Sequence, residues 1–86
     1  MFARALVEFI GTFIFLSVIL SKGEAIPIGV ALVAVIFFGG GDYNPAVTIT
    51  KAFAGNTEIF SALLFVAAQI IAGLSAYGFN KFVLNK

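Results

Sequence analysis

The stretch that decides the fold of this chain is Gly39-Gly40-Gly41-Asp42-Tyr43-Asn44-Pro45-Ala46-Val47-Thr48-Ile49-Thr50-Lys51. It lies between two strongly apolar segments, and it is too polar to span a bilayer and too apolar to be an ordinary loop. Its glycines allow a sharp reversal of the chain. Asn44 is a preferred helix N-cap, and Pro45 at the first helical position gives up an amide hydrogen that would have no partner there. The sequence therefore predicts a short helix over residues 44–53.

The composition around this stretch indicates a membrane protein. Of the 86 residues, 62% are hydrophobic and 10% are charged, whereas a typical globular domain carries about 25% charged residues. So small a domain would have too little polar material to cover its surface in water. Three apolar blocks, residues 5–20, 25–38 and 59–79, would span about 24, 21 and 31 Å as helices. We expect them to cross the bilayer as one domain over residues 1–86.

The predicted short helix has a special place in such a protein. It is about 15 Å long, which is half of the roughly 30 Å hydrocarbon core. This is the outline of a re-entrant half-helix whose N-terminus points to the membrane midplane. Non-helical backbone is tolerated at that depth only where it is buried in protein or lines a water-filled cavity. The stretch therefore predicts a cavity or pore.

Charge and residue types exclude several classes of function. Five cations nearly balance four anions, so no nucleic-acid partner is expected. The chain has no Cys and no His, which excludes disulfide scaffolds, thiolate or imidazole zinc sites and His-based triads. Glu8, Asp42 and Glu58 have no spacing that sets two carboxylates together. We therefore expect no enzyme, no metal and no cofactor.

The first apolar block also has the outline of a signal peptide. Arg4 precedes the apolar run, and the small residues Ser21 and Gly23 follow it at the spacing of a cleavage site. What would remain after cleavage is still too apolar for a soluble product. We therefore interpret the block as a retained helix, extended by Phe2 and by an Arg4 side chain that snorkels.

Three short motifs occur in order along the chain: Glu8-Phe9-Ile10-Gly11-Thr12, Asn44-Pro45-Ala46-Val47-Thr48 and Ala68-Gln69. They resemble the first-helix glutamate motif, the asparagine-proline-alanine signature and the third-helix alanine-glutamine pair of the aquaporin and glycerol-facilitator (major intrinsic protein) family. The resemblance covers essentially all 86 residues, as one N-terminal half with one signature.

The resemblance implies an all-α membrane protein with three transmembrane helices and one re-entrant half-helix, which is half of the family's fold. In the family, two inverted halves bring their half-helices tip to tip at the midplane. Asn44 would then donate hydrogen bonds to permeating water, and Pro45 and Ala46 would form the contact between the tips. Each half-helix N-terminus carries roughly half a positive charge, so that two of them would repel cations and orient water.

The resemblance assigns Glu8, Thr12 and Gln69 to the support of the non-helical backbone beside the half-helix. Exposing an ionisable residue to lipid costs about 2.5–3.5 kcal/mol on insertion scales, which favours a buried supporting role for Glu8. The other interpretation is that Glu8 lies near the interface, one turn from Arg4, and pairs with it.

Three departures from the family leave selectivity unpredicted. Asp42 stands where the family often has a histidine; it either makes a cation-attracting vestibule or places a favourable charge at a helix N-terminus, worth about 0.3–1 kcal/mol. Between Gly29 and Asn44 the second block is several residues shorter than the second helix of the family. The aromatic residue that helps to form the family's outer pore constriction therefore has no assigned position in this sequence. The arginine of that constriction follows a second signature, which this sequence lacks.

The remaining apolar and small residues are interpreted as packing surface. A set of phenylalanines is expected to face lipid or pack between helices: Phe13, Phe15, Phe37, Phe38, Phe60, Phe65, Phe79 and Phe82. Four glycines are expected to allow close helix contact: Gly11, Gly29, Gly73 and Gly78.

The predicted function is a multi-pass membrane channel subunit for water or small neutral solutes. A single copy would expose its half-helix to lipid, so the expected partner is an inverted copy of itself or a separate complementary chain. The cations allow dual topology, because the two sides of the bilayer differ little in charge: Arg4 and Lys51 lie on one, and Lys22, Lys81 and Lys86 on the other. Two alternatives stay open, a non-conducting structural protein of a virion or organelle membrane and a holin-like pore peptide.

Overall fold

The computed structural model describes residues 1–85 and contains four α-helices over that range. Helix α1 runs over Phe2–Lys22, α2 over Ala25–Gly39, α3 over Pro45–Phe53 and α4 over Ile59–Phe82. No strand occurs among residues 1–85, so the described chain is all-α. Lys86, which the sequence places on the same side as Lys22, lies outside the described residues.

The helix ends follow the local chemistry of the sequence. Gly23 and Gly40 end α1 and α2 in the left-handed conformation, with φ of 64° and 69°, which glycine adopts without a steric cost. Asn44 caps α3, because its Oδ1 accepts a hydrogen bond of 2.8 Å from the Ala46 amide. Pro45 follows at the first helical position.

Helix α4 begins at a side-chain cap. The Glu58 carboxylate accepts hydrogen bonds from the backbone amides of Phe60 at 3.1 Å and Ser61 at 3.0 Å. These two bonds satisfy amides that have no partner inside the helix. They also stabilise the charged form and hold the pKa of Glu58 below its usual range.

Helix α1 is the central element of the packing. It packs against α2 on one side and α4 on the other, and α3 packs on α4. Helices α1 and α4 run in the same direction, since Ser21 Oγ near the end of α1 donates a 2.6 Å hydrogen bond to Asn80 Oδ1 near the end of α4. Lys22 and Lys81 therefore lie at the same end of the molecule. Helix α3 lies at an edge, and its outer face is exposed.

Within residues 1–85, two helices are long and apolar enough to cross a membrane. They are α1 and α4, with mean hydropathies of 2.0 and 2.1 over an 18-residue window, and only 17% and 28% of these windows are buried within the protein. Helix α2 is also apolar but has only 15 residues. Large side chains such as Phe37, Phe38 and Phe60 are 71–86% exposed. A continuous apolar surface of this extent favours lipid as the solvent, so the structure indicates a membrane protein.

Not every residue interpreted as packing surface has a helix neighbour. A Cβ at Gly73 would lie 2.9 Å from Leu16 Cδ1 of α1, so Gly73 does allow a close helix contact. Around Gly29 and Gly78, no heavy atom of residues 1–85 outside the immediate helix backbone lies within 4 Å of a Cβ position, so neither glycine makes a close helix contact within this chain. Gly11 instead makes room for the side chain of Tyr43.

Candidate functional site

The site is built around Glu8, which is fully buried on α1. Its Oε2 accepts a 2.8 Å hydrogen bond from the backbone amide of Asp42, and its Oε1 accepts one of the same length from the amide of Tyr43. Both amides belong to the loop between α2 and α3, where no helix supplies an acceptor for them. The carboxylate thus holds the two residues that immediately precede Asn44.

Gln69 connects Glu8 to α3. It lies on α4 with 2% exposure, and its Nε2 donates to Glu8 Oε1 at 3.0 Å and to Thr48 Oγ1 at 2.8 Å. Thr48 is fully buried on α3. One amide group therefore joins α1, α3 and α4, and this buried network fixes the position of α3.

Arg4 binds a different part of the loop. Its Nη1 donates to the carbonyl oxygen of Gly39 at 3.0 Å, and its Nη2 donates to that of Gly40. Carbonyls at a helix C-terminus lack partners and carry negative partial charge, and α2 has no basic residue of its own in its last turn. Arg4 therefore caps α2, while Glu8 binds the loop amides.

Tyr43 was not singled out by the sequence analysis, yet it anchors the loop. It is 2% exposed and has a φ of 60°, which a non-glycine residue rarely adopts. Its hydroxyl donates a 2.6 Å hydrogen bond to the carbonyl of Val35. Its ring occupies the space beside Gly11, and a Cβ at Gly41 would approach it to 2.8 Å. The available signal was an aromatic residue set between a glycine run and a helix cap.

Asp42 forms an ion pair with Lys51 of α3. The Lys51 Nζ lies 2.7 Å from Asp42 Oδ1, and Thr48 Oγ1 donates a 2.8 Å hydrogen bond to Oδ2. The Asp42 side chain is 7% exposed and that of Lys51 is 47% exposed. Burial alone would raise the pKa of Asp42, but the bonds from Lys51 and Thr48 outweigh it and hold the pKa below its ordinary value.

The tip of α3 carries the residues of the signature. Asn44 and Ala46 are exposed and Pro45 is half-buried. Because Asn44 Oδ1 already accepts the Ala46 amide, the side-chain NH₂ group remains as a donor that no residue in the described part of the chain uses. Thr48 lies one helical turn from this tip and is bonded to Gln69. Gln69 itself lies about 15 Å along α4 from Ile59. The tip is thus near the middle of α4.

Two curated proteins are similar to this chain. Aquaporin TIP4-3 of Zea mays is 37% identical over 54 residues, which cover 63% of this chain and 22% of that protein. Glycerol uptake facilitator protein-like 6 of Lactiplantibacillus plantarum is 36% identical over an alignment of 86 residues that covers 85% of this chain and 40% of that protein. These similarities support a relationship to the major intrinsic protein family.

The chain spans less than half the length of each of these aquaporin-type relatives. No family model matches the chain, and no solved structure does. The similarity therefore supports a channel-like function and a membrane location in general terms.

Thr12 is the remaining residue that the aquaporin-like motifs single out. It lies one turn beyond Glu8 on α1 with 1% exposure, and its Oγ1 has no hydrogen-bond partner among residues 1–85. The same holds for Gln69 Oε1. The structure thus brings Glu8, Asp42 and Gln69 into one network with the loop, whereas Thr12 makes no side-chain hydrogen bond to it. No group of three or more metal-binding side chains occurs within residues 1–85.

Proposed function

We propose that this protein is a subunit of an aquaporin-like channel that passes water or small neutral solutes passively. In this proposal α1, α2 and α4 cross the bilayer, and α3 enters it as a re-entrant half-helix. The observation that carries the proposal is the exposed side-chain NH₂ group of Asn44 at the N-terminus of α3, near the middle of α4. A polar donor at that depth needs a protein or water partner.

The chemistry of this tip favours neutral permeants. The N-terminus of α3 carries roughly half a positive charge, which repels cations and orients the oxygen of a water molecule or hydroxyl toward it. Asn44 adds donors without adding a charge. Glu8 and Gln69 would support the loop, with Thr12 packed beside them, and Asp42 would stand at the mouth of the path.

The path needs a second wall, because the outer face of α3 is exposed on one copy. We propose an inverted copy of the same chain, with Pro45 and Ala46 of the two copies in contact at the tips. Such a pair would have a two-fold axis in the membrane plane, like the inverted repeats of transporters. The rival arrangement is a separate chain that supplies the complementary half.

Osmotic flux in proteoliposomes tests the function. Purified protein should accelerate vesicle shrinkage in a sucrose gradient without passing ions, and Asn44→Asp and Asn44→Leu should abolish the acceleration. Asn56→Asp and Asn56→Leu are matched controls, because Asn56 is exposed in the α3–α4 loop and should leave the flux unchanged. A wild-type flux equal to that of empty vesicles would overturn the proposal, and ion leakage would favour a holin-like lesion.

Cysteine labelling on sealed cells tests the partner. Lys22 and Lys51 would lie on opposite sides of the bilayer in one orientation. If both orientations occur, an impermeant thiol reagent should modify a fraction of each introduced cysteine, Lys22→Cys and Lys51→Cys. Modification at one position only would rule out the inverted copy and leave the separate chain.

A further inference from the structure

The ion pair between Asp42 and Lys51 connects two sides of the proposed pore mouth. Asp42 belongs to the loop that Glu8 holds, and Lys51 lies on α3, seven positions beyond Asn44 in the sequence, or about 10 Å along the helix. Thr48 donates to the second oxygen of the same carboxylate at 2.8 Å. The Asp42 carboxylate therefore has both oxygens occupied, one by a cation and one by a hydroxyl.

This pair completes a balanced set of charges. Two carboxylates, those of Glu8 and Asp42, and two cations, Arg4 and Lys51, meet at the loop between α2 and α3. Glu8 and Arg4 bind the loop backbone, and Lys51 binds the side chain of Asp42. Arg4 binds backbone carbonyls and Glu8 binds backbone amides, so neither meets Asp42 side chain to side chain. Lys51 is the one cation bonded to the Asp42 carboxylate within residues 1–85. Replacing Lys51 by a neutral residue would leave these groups with a net negative charge.

Lys51 also lies on the side of α3 that the proposed path would follow. It borders an open hollow on α3 together with Ala46, Val47 and Thr50. Ala46 belongs to the tip, so the hollow runs from the tip of the half-helix toward the ion pair. With 47% of its side chain exposed, Lys51 faces this hollow while it shields an Asp42 side chain that is 7% exposed.

We propose that Lys51 is a specificity-determining residue of this protein, because its ammonium group neutralises Asp42 and keeps cations from collecting at the mouth of the path. The relevance to permeation rests on the proposed function. Once a second wall covers the hollow, an Asp42 carboxylate without Lys51 would stand in a cleft of one charge sign, and such clefts raise the local concentration of counter-ions by about tenfold or more. Since the N-terminus of α3 lies beyond it, a cation held there would obstruct the path rather than pass.

Calcium binding tests the role of Lys51 independently of transport. Lys51→Gln removes the charge and keeps a donor for Asp42, and Lys51→Met removes both. In detergent micelles, about 10 mM calcium chloride should raise the thermal unfolding midpoint of either variant by at least about 4 °C relative to choline chloride of equal ionic strength. Wild type, Lys51→Arg and the double variant Asp42→Asn/Lys51→Gln should show no calcium-dependent shift.

Flux in proteoliposomes tests its role in permeation. The calcium concentration that halves osmotic flux should be at least about tenfold lower for Lys51→Gln than for wild type. Lys51→Arg should behave as wild type, and Asp42→Asn/Lys51→Gln should lose the calcium sensitivity. A merely structural role of Lys51 would lower the flux of Lys51→Gln without making it depend on calcium.

The outcomes separate this proposal from the proposed function. If wild type conducts and Lys51→Gln shows neither a calcium-dependent midpoint nor a calcium-dependent flux, the role of Lys51 is overturned and the channel stands. If wild type does not conduct, the proposed function is overturned, and the calcium shift in micelles still decides whether Lys51 neutralises Asp42. Calcium sensitivity of wild type equal to that of Lys51→Gln also overturns the role of Lys51.

Discussion

The ring of Tyr43 fills the space that Gly11 leaves open on α1. A Cβ at Gly11 would overlap the ring atoms of Tyr43. The Tyr43 hydroxyl is bonded to the Val35 carbonyl of α2 at 2.6 Å, and its backbone amide is bonded to Glu8 of α1. One side chain thus connects the residue before Asn44 to two helices, and the position of the tip depends on this packing.

Gly11→Ala should therefore destabilise the protein. The added methyl group would displace the Tyr43 ring, and overpacking of this kind costs about 1–3 kcal/mol in the free energy of unfolding. Denaturant titration in mixed micelles, followed by circular dichroism, measures the change.

Gly29→Ala is the matched control, because a Cβ at Gly29 meets no heavy atom within 4 Å. Alanine is favoured over glycine inside a helix by about 0.5–1 kcal/mol, so this variant should be as stable as wild type or slightly more so. Equal destabilisation by the two substitutions would contradict the packing of Tyr43 against Gly11.

Glu8→Leu should release the loop before α3. It leaves the amides of Asp42 and Tyr43 buried without an acceptor, and each such group costs about 1–3 kcal/mol. We expect a loss of at least about 2 kcal/mol in the free energy of unfolding, with faster hydrogen exchange at those two amides. Glu8→Gln keeps one acceptor oxygen and should fall between wild type and Glu8→Leu.

Glu24→Leu is the control for this prediction. Glu24 is exposed and caps α2 without a side-chain hydrogen bond, so its replacement should leave exchange at Asp42 and Tyr43 unchanged. If Glu8→Leu leaves those two amides as protected as in wild type, then Glu8 does not hold the loop.

The contribution of Asp42 to the free energy of unfolding should persist at acidic pH. Its folded pKa lies below the ordinary value of 3.8, so the carboxylate contributes stability that is present above the unfolded pKa and is lost as the pH falls through the folded pKa. The difference in free energy of unfolding between wild type and Asp42→Asn should be constant from neutral pH to about pH 5 and close only below 3.8. A difference that closes between pH 7 and 5 would contradict the ion pair.

The short helix α3 illustrates what the sequence alone can predict. Asn44 and Pro45 predict a helix start from local chemistry alone, because Asn44 supplies an N-cap oxygen and Pro45 lacks an amide hydrogen. In the structure α3 begins at Pro45 with Asn44 as its cap. The apolar blocks likewise predict apolar helices, because helical burial in lipid depends on composition and length. Their crossing of a bilayer and the pore remain predictions.

The loop shows where sequence reasoning ends. Arg4 and Glu8 are one helical turn apart, a spacing that fits a pair as well as it fits two separate roles; what separates them is the tertiary position of the Gly39 carbonyl and the loop amides. Asp42 and Lys51 are nine residues apart, which matches no helical repeat, so no local pattern could predict their contact.

Arg4→Met should fray the C-terminal end of α2. Methionine keeps the length of the side chain but donates no hydrogen bond, so the carbonyls of Gly39 and Gly40 lose the guanidinium that satisfies them. A loss of about 1.4 kcal/mol would make exchange of the Gly40 amide, which is bonded to the Ile36 carbonyl at 2.8 Å, about tenfold faster. Lys22→Met removes an exposed cation at the end of α1 and should leave that amide unchanged. The same exchange rate in both variants would show that Arg4 does not cap α2.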